Sequence, residues 1–120
     1  MAISKQAVIV LAPTSVPAGT TLASPVSGSS DVRNFSGGEW VYKITNGSGA
    51  PSLPATIILQ VSHDGTNWYD YFIVAGNTTA SGVVSGSVSM SKGVMYARVI
   101  AYGNTINSVF VESFAQVVAG

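Results

Sequence analysis

Ser62-His63-Asp64 sets the three side-chain types of a hydrolytic triad in consecutive positions. A working triad needs the three groups to converge on one point. Consecutive residues of an extended chain point to opposite sides, so these three cannot line up as nucleophile, base and orienter. His63 is the only histidine and there is no cysteine. That removes any His cluster for a metal, any thiolate zinc site and any cysteine nucleophile. Asp64-Gly65-Thr66-Asn67 offers oxygen ligands at close spacing, but a calcium loop requires more carboxylates and a distal acidic residue. The five acidic residues are Asp31, Glu39, Asp64, Asp70 and Glu112, too few to suggest a dedicated carboxylate pair for glycoside hydrolysis. Arg98 and Glu112 fall in the two strongest C-terminal strands, where a cross-strand ion pair is the expected use. No phosphate loop, nucleophile elbow or metal motif is present. The expectation is a non-enzymatic chain with no catalytic residue, no cofactor and no metal, in which His63 is a turn residue.

The elements that would hold these residues are strands. Helix formers are scarce, and no window sustains a 3.6-residue apolar period. Val-rich runs are bounded instead by Gly, Asn, Ser and Pro. Strands are expected at 6–11, 39–45, 56–62, 68–74, 83–90, 94–102 and 108–118, with a short one at 31–35. Trp40, Tyr42 and Ile44 share one face of their strand, and Ile57, Leu59 and Val61 share one face of theirs. Asp64-Gly65 between two alternating runs is a strong hairpin signal. Seven or eight strands with turns at short intervals imply an all-β fold, an antiparallel β-sandwich of immunoglobulin-like or jelly-roll-like type, with a small β-barrel as the alternative. The 120 residues suit one domain.

Composition narrows the partners. Five basic residues balance five acidic ones, and only 8% of the chain is charged against roughly 25% in a typical soluble domain. A neutral chain has no field for a phosphate backbone, so no nucleic acid is expected as a partner. No apolar run approaches the roughly 20 residues of a membrane-spanning helix, so no membrane is expected either. A surface of Ser, Thr and Asn resists association weakly, which suits a protein assembled onto another. Met1-Ala2-Ile3-Ser4-Lys5 reads as a cytoplasmic translation start, and the apolar run that follows is too short for a signal-peptide core.

Two further features point to contacts. Residues 12–30 carry Pro13, Pro17 and Pro25 with many Ser, Thr and Gly, and read as an extended arm or edge segment. Pro13, Val16, Pro17, Leu22 and Pro25 are candidate partner contacts on that arm. In the strand 68–74, alternation puts Trp68, Phe72 and Val74 on one face and Tyr69, Tyr71 and Ile73 on the other. One face is core, so Tyr69 and Tyr71 are candidate contacts or a stacking platform on the outside.

The stretch from Thr56 to Tyr69, with Gln60-Val61-Ser62-His63-Asp64-Gly65-Thr66-Asn67-Trp68 at its centre, resembles a Gln-Val-Ser-x-Asp-Gly-x-x-Trp hairpin of small β-sandwich structural proteins from tailed bacteriophage virions. Gly38-Glu39-Trp40-Val41-Tyr42-Lys43-Ile44-Thr45-Asn46-Gly47 is similar to such proteins as well. Asp-Gly-x-x-Trp hairpins also occur in carbohydrate-binding and discoidin-like sandwiches. The resemblance implies a virion component made in a bacterial host cytoplasm. The first reading is a capsid decoration (cement) protein on the outside of the head, bound to the major capsid protein or another virion protein and able to self-associate as a trimer or other oligomer. A tail or fibre accessory domain, or a carbohydrate-binding adhesin-like module, is the alternative. No catalytic residue comes with the resemblance.

Overall fold

A computed structural model describes residues 4–119, so Met1–Ile3 of the expected translation start lie outside the described residues. The chain forms eight strands: β1 (Ser4–Val16), β2 (Val26–Asp31), β3 (Gly38–Asn46), β4 (Thr56–Ser62), β5 (Tyr69–Ala75), β6 (Val83–Met90), β7 (Tyr96–Tyr102) and β8 (Val109–Ala119). They build two four-stranded antiparallel sheets, β1-β8-β3-β6 and β2-β7-β4-β5. The fold is the expected β-sandwich and not a closed barrel.

Alternation explains the central strands. In β3, Trp40 and Ile44 are buried while Lys43 is exposed; in β8, Val109, Val111, Ser113, Ala115 and Val117 are buried in strict alternation. The opposing sheet contributes Ile57, Leu59, Ala97, Val99 and Ala101. Trp40 lies at the centre, fully buried, and its indole Nε1–H donates to Ser113 Oγ at 2.9 Å, which in turn donates to the Val41 carbonyl. A buried indole that lacked this acceptor would carry an unsatisfied donor.

Three expectations change. First, β7 and β8 do not pair; they lie in different sheets. Arg98 therefore bonds to Gln60, and Glu112 sits 3.9 Å from Lys43 of β3, in place of the expected Arg98–Glu112 pair. Second, the short strand expected at 31–35 is instead β2 at Val26–Asp31. Asp31 ends it, since its carboxylate accepts the Arg33 backbone N–H and pairs with the Arg33 guanidinium, turning the chain. Third, β1 continues past Leu11 through Pro13 to Val16. Register shifts at Ile9/Leu11 and Leu11/Thr14 absorb the irregularity, and Pro13 is tolerated because β1 is an edge strand.

The segment 12–30 is thus edge strand at both ends, β1 in one sheet and β2 in the other, joined by a loop across the end of the sandwich. Gly19 N–H donates to the Asn104 carbonyl and Gly103 N–H to the Thr20 carbonyl, tying that loop to the β7–β8 connection.

Candidate interaction surfaces

The β4–β5 turn contains the triad letters and shows what they do. Ser62 Oγ donates to Asp64 Oδ1 at 2.9 Å and accepts the N–H groups of Asp64 and Gly65. Asp64 Oδ1 accepts the N–H groups of Thr66 and Asn67, and Oδ2 accepts the Asn67 side-chain amide. The Asn67 and Thr66 backbone bonds hold the Asp64 carboxyl far below the usual carboxylate range, with the Asn67 amide and the Ser62 hydroxyl adding to them. His63 is exposed, stacks on Tyr69 with ring centroids 6.2 Å apart, and lies 3.5 Å from Asp64 Oδ2. The serine hydroxyl is directed at the carboxylate, so the three residues are a hydrogen-bonded turn and have no nucleophile–base contact. Gly65 carries φ +78°, the left-handed conformation that the turn demands. Beside the turn a cleft of about 340 Å³ opens against the β6–β7 connection, with Tyr69, Val94 and Met95 among its walls.

The strand after this turn breaks simple alternation. Leu59 pairs with Phe72 and Gln60 with Asp70, so Tyr71 is an extra residue in a bulge. Both Tyr71 and Phe72 turn inward: Tyr71 packs 5.9 Å from Trp40, and Phe72 lies 6.2 Å from Tyr42. The expectation that Phe72 and Tyr71 occupy opposite faces fails for this reason. Tyr71 is no outer platform, since its ring joins the core and its hydroxyl donates to the Ser89 carbonyl at 2.7 Å. Tyr69 and Ile73 stay exposed.

On the outer face of β2-β7-β4-β5 the bulge leaves a polar row. Arg98 donates twice to Gln60 Oε1, and Gln60 Nε2 donates to Asp70 Oδ1 at 2.9 Å. The Trp68 ring lies across the Arg98 guanidinium, 4.5 Å from its centre. Gln60 and Ser62 are buried although they point outward. Partial burial lowers the Arg98 pKa, but a guanidinium remains charged at neutral pH. Arg33 stacks similarly on Tyr96, which pairs with Ser62. Sequence reasoning missed Arg98, Gln60 and Asp70 as one group, because their meeting depends on which strands pair.

The outer face of β1-β8-β3-β6 is apolar in two cross-strand rows. One runs Ile9–Phe114–Val41 and the other Phe110–Thr45–Val83, with Glu112 and Lys43 between them. Ile9 and Phe110 are each more than half exposed, at 57% and 52%. A shallow depression of about 220 Å³ lies among Val41, Lys43, Glu112 and Phe114.

The arm residues divide. Pro13, Pro17 and Leu22 are exposed and Pro25 is half-buried. Val16 is fully buried in the core and its carbonyl accepts Asn104 Nδ2, so its side chain has no surface to offer a partner. Among the described residues no group of three or more His, Asp or Glu side chains is placed to hold a metal ion.

Solved structures share this fold. The K3 cleaved adhesin domain of Lys-gingipain from Porphyromonas gingivalis superposes with a TM-score of 0.61 at 12% identity, over 90% of this chain and 74% of that one. The SPBc2 prophage-derived protein YomS gives 0.51 at 15% identity over 99% of this chain and 96% of that one. The carbohydrate-binding module TmCBM61, solved with β-1,4-galactotriose, gives 0.52 at 16% identity over 95% and 85%. No protein-family model matches the chain, and no curated protein matches it. At these identities the likeness is one of fold.

Proposed function

We propose that this protein is a non-enzymatic structural component of a phage particle, a capsid decoration protein that docks through the outer face of β1-β8-β3-β6. The observation that carries the reading is the pair of apolar rows on that face, Ile9–Phe114–Val41 and Phe110–Thr45–Val83. A sheet face that only met water would be polar in alternation with its core side. Instead it carries Ile9, Phe114 and Val41 on one side of the Lys43–Glu112 pair and Phe110 and Val83 on the other, two apolar clusters of the kind that are covered in an assembly. Zero net charge suits many copies packed side by side, because no repulsive field builds up. The prophage origin of YomS, whose chain and this one cover each other almost completely, agrees with the reading.

The test is co-sedimentation with phage heads stripped of this protein. Wild type pellets with the heads, and Ile9→Ser/Phe114→Ser stays in the supernatant with an unchanged melting curve. Equal pelleting of both would overturn the docking face.

A second reading rests on a different observation, the Trp68–Arg98–Gln60–Asp70 row. An indole backed by a guanidinium, beside a carboxylate with one oxygen outside the row's own bonds, suits a neutral saccharide: C–H groups on the ring, hydroxyls on the acid. The adhesin and carbohydrate-binding domains of the same fold agree with it. Titration with β-1,4-galacto-oligosaccharides, followed by Trp68 indole fluorescence and by the Trp68→Ala variant, separates this reading from the first.

A further inference from the structure

The four edge strands of the sandwich differ in how they are guarded. An open edge offers unpaired N–H and C=O groups to any other strand, and proteins block this with charges, prolines, bulges or a covering segment. β1 has Lys5, Pro13 and two register shifts. β2 ends at Asp31, and β1 packs across it where Gly28 lies against the Val10 carbonyl and the Leu11 side chain. β5 has Asp70 and the Tyr71 bulge. β6, with the sequence Val83-Val84-Ser85-Gly86-Ser87-Val88-Ser89-Met90, has no charge, no proline and an unbroken register with β3.

The direction of its backbone groups follows from two bonds. The Gly82 carbonyl accepts the Asn46 N–H, toward β3, while the Ser89 carbonyl accepts the Tyr71 hydroxyl, away from β3. In an antiparallel ladder such groups alternate residue by residue. Val83, Ser85 and Ser87 therefore point both N–H and C=O outward, and Ser89 is already occupied by Tyr71.

We infer that the open edge of β6 pairs antiparallel with β6 of a second copy, around a two-fold axis through Ser85. In this register Ser85 faces its own counterpart and Val83 faces Ser87. Every outward group of these three residues is then used, in roughly six N–H···O bonds, two for each close pair. The core-side residues stay on the core side, because the partners are both odd-numbered. The two four-stranded sheets become one continuous sheet. The occupant is a second copy because the strand is self-complementary in this register: it brings no charge to the seam, and small serines meet at the axis. Such an isologous pairing is closed and stops at a dimer. It uses β6 backbone groups and rests on neither the docking nor the saccharide reading, although the Val83 side chain also belongs to the docking row.

The chain has no cysteine, so one can be introduced alone. Close-paired residues in an antiparallel ladder have Cα atoms about 5.5 Å apart, within disulfide reach. Under mild oxidation Ser85→Cys should give a covalent dimer, and Ser89→Cys, on the same edge but off the axis, should not. Sedimentation equilibrium of the Cys-free protein should show a monomer–dimer equilibrium at or below about 1 mM. Ser85→Glu places like charges at the axis from an exposed side chain that leaves the core of each monomer untouched. It should raise the dimer dissociation constant at least about tenfold and leave the melting temperature unchanged. A monomer at every concentration up to about 1 mM would overturn the inference. So would cross-linking of Ser85→Cys no faster than Ser89→Cys, or a dimer that Ser85→Glu leaves intact.

Discussion

At the scale of the residue, the β4–β5 turn concentrates the chemistry that the chain has, and spends it on conformation. Gly65→Val forces a β-branched side chain into a positive-φ position and should cost about 1 kcal/mol or more, read as a lower midpoint in urea. Unchanged stability would mean that the turn does not need this backbone. Asp64 gives a pH signature. Its pKa is depressed in the folded protein, so its contribution is complete above the unfolded value of about 3.9 and is lost as pH falls below it. The melting temperature of wild type should therefore drop on acidification from pH 4 toward pH 2, and that of Asp64→Asn should drop less, since an amide has no charge to lose. Parallel curves would remove Asp64 from the acid response. The sequence showed this turn plainly, because Asp-Gly between alternating runs is a local signal. It could not show that Ser62 serves the same turn, which depends on a hydroxyl reaching past one residue.

At the scale of the element, strand positions were legible: β3 to β8 all fall within a residue or two of their expected bounds. Bulges were not. An extra residue inverts every face assignment on one side of it; the shift between Leu11 and Thr14 is marked by Pro13, but neither the Tyr71 bulge nor the shift at Ile9/Leu11 has a glycine or proline to mark it. Partner choice was hidden too, since adjacency in sequence suggested that β7 meets β8. The proline-rich segment shows the same limit. Its prolines announced an edge, yet the position at which it re-enters the core depends on the whole sandwich. Val16→Ala should cost about 1–3 kcal/mol through the cavity it leaves, measured by denaturant unfolding. A cost near zero would return the segment to the role of a loosely laid arm. Deletion of 13–25 should accordingly unfold the domain, where a peripheral arm would leave a folded sandwich with weakened particle binding.

At the scale of the whole molecule, the sandwich presents two unlike outer faces and two unlike flanks. One face carries two apolar rows around the Lys43–Glu112 pair, the other bears aromatic rings over charged and amide groups; one flank is closed by β1 against β2, the other carries the bare edge of β6. Separate surfaces can be altered separately. Ile9→Ser/Phe114→Ser and Trp68→Ala should each leave the other surface's binding unchanged, because side chains on opposite faces share no contact and their effects add. Loss of both activities in either single-face variant, with the fold intact, would show one surface acting and not two.

The place of β8 within its sheet carries a consequence in time. It is the eighth strand in the chain, yet it lies between β1 and β3 and pairs with both. β4, β5 and β7 all precede β8 in the chain, so on a ribosome their sheet can form before Val109–Ala119 has emerged. β1 and β3 must wait, with their apolar sides uncovered, until Val109–Ala119 emerges and fits between them. Translation at about 5–20 residues per second makes that wait last seconds, during which the nascent chain is half a sandwich. Stalling synthesis before Val109 should yield a chain that chaperones hold and proteases cut on the β1 and β3 side. Emergence of β8 then lets β1 and β3 join one sheet.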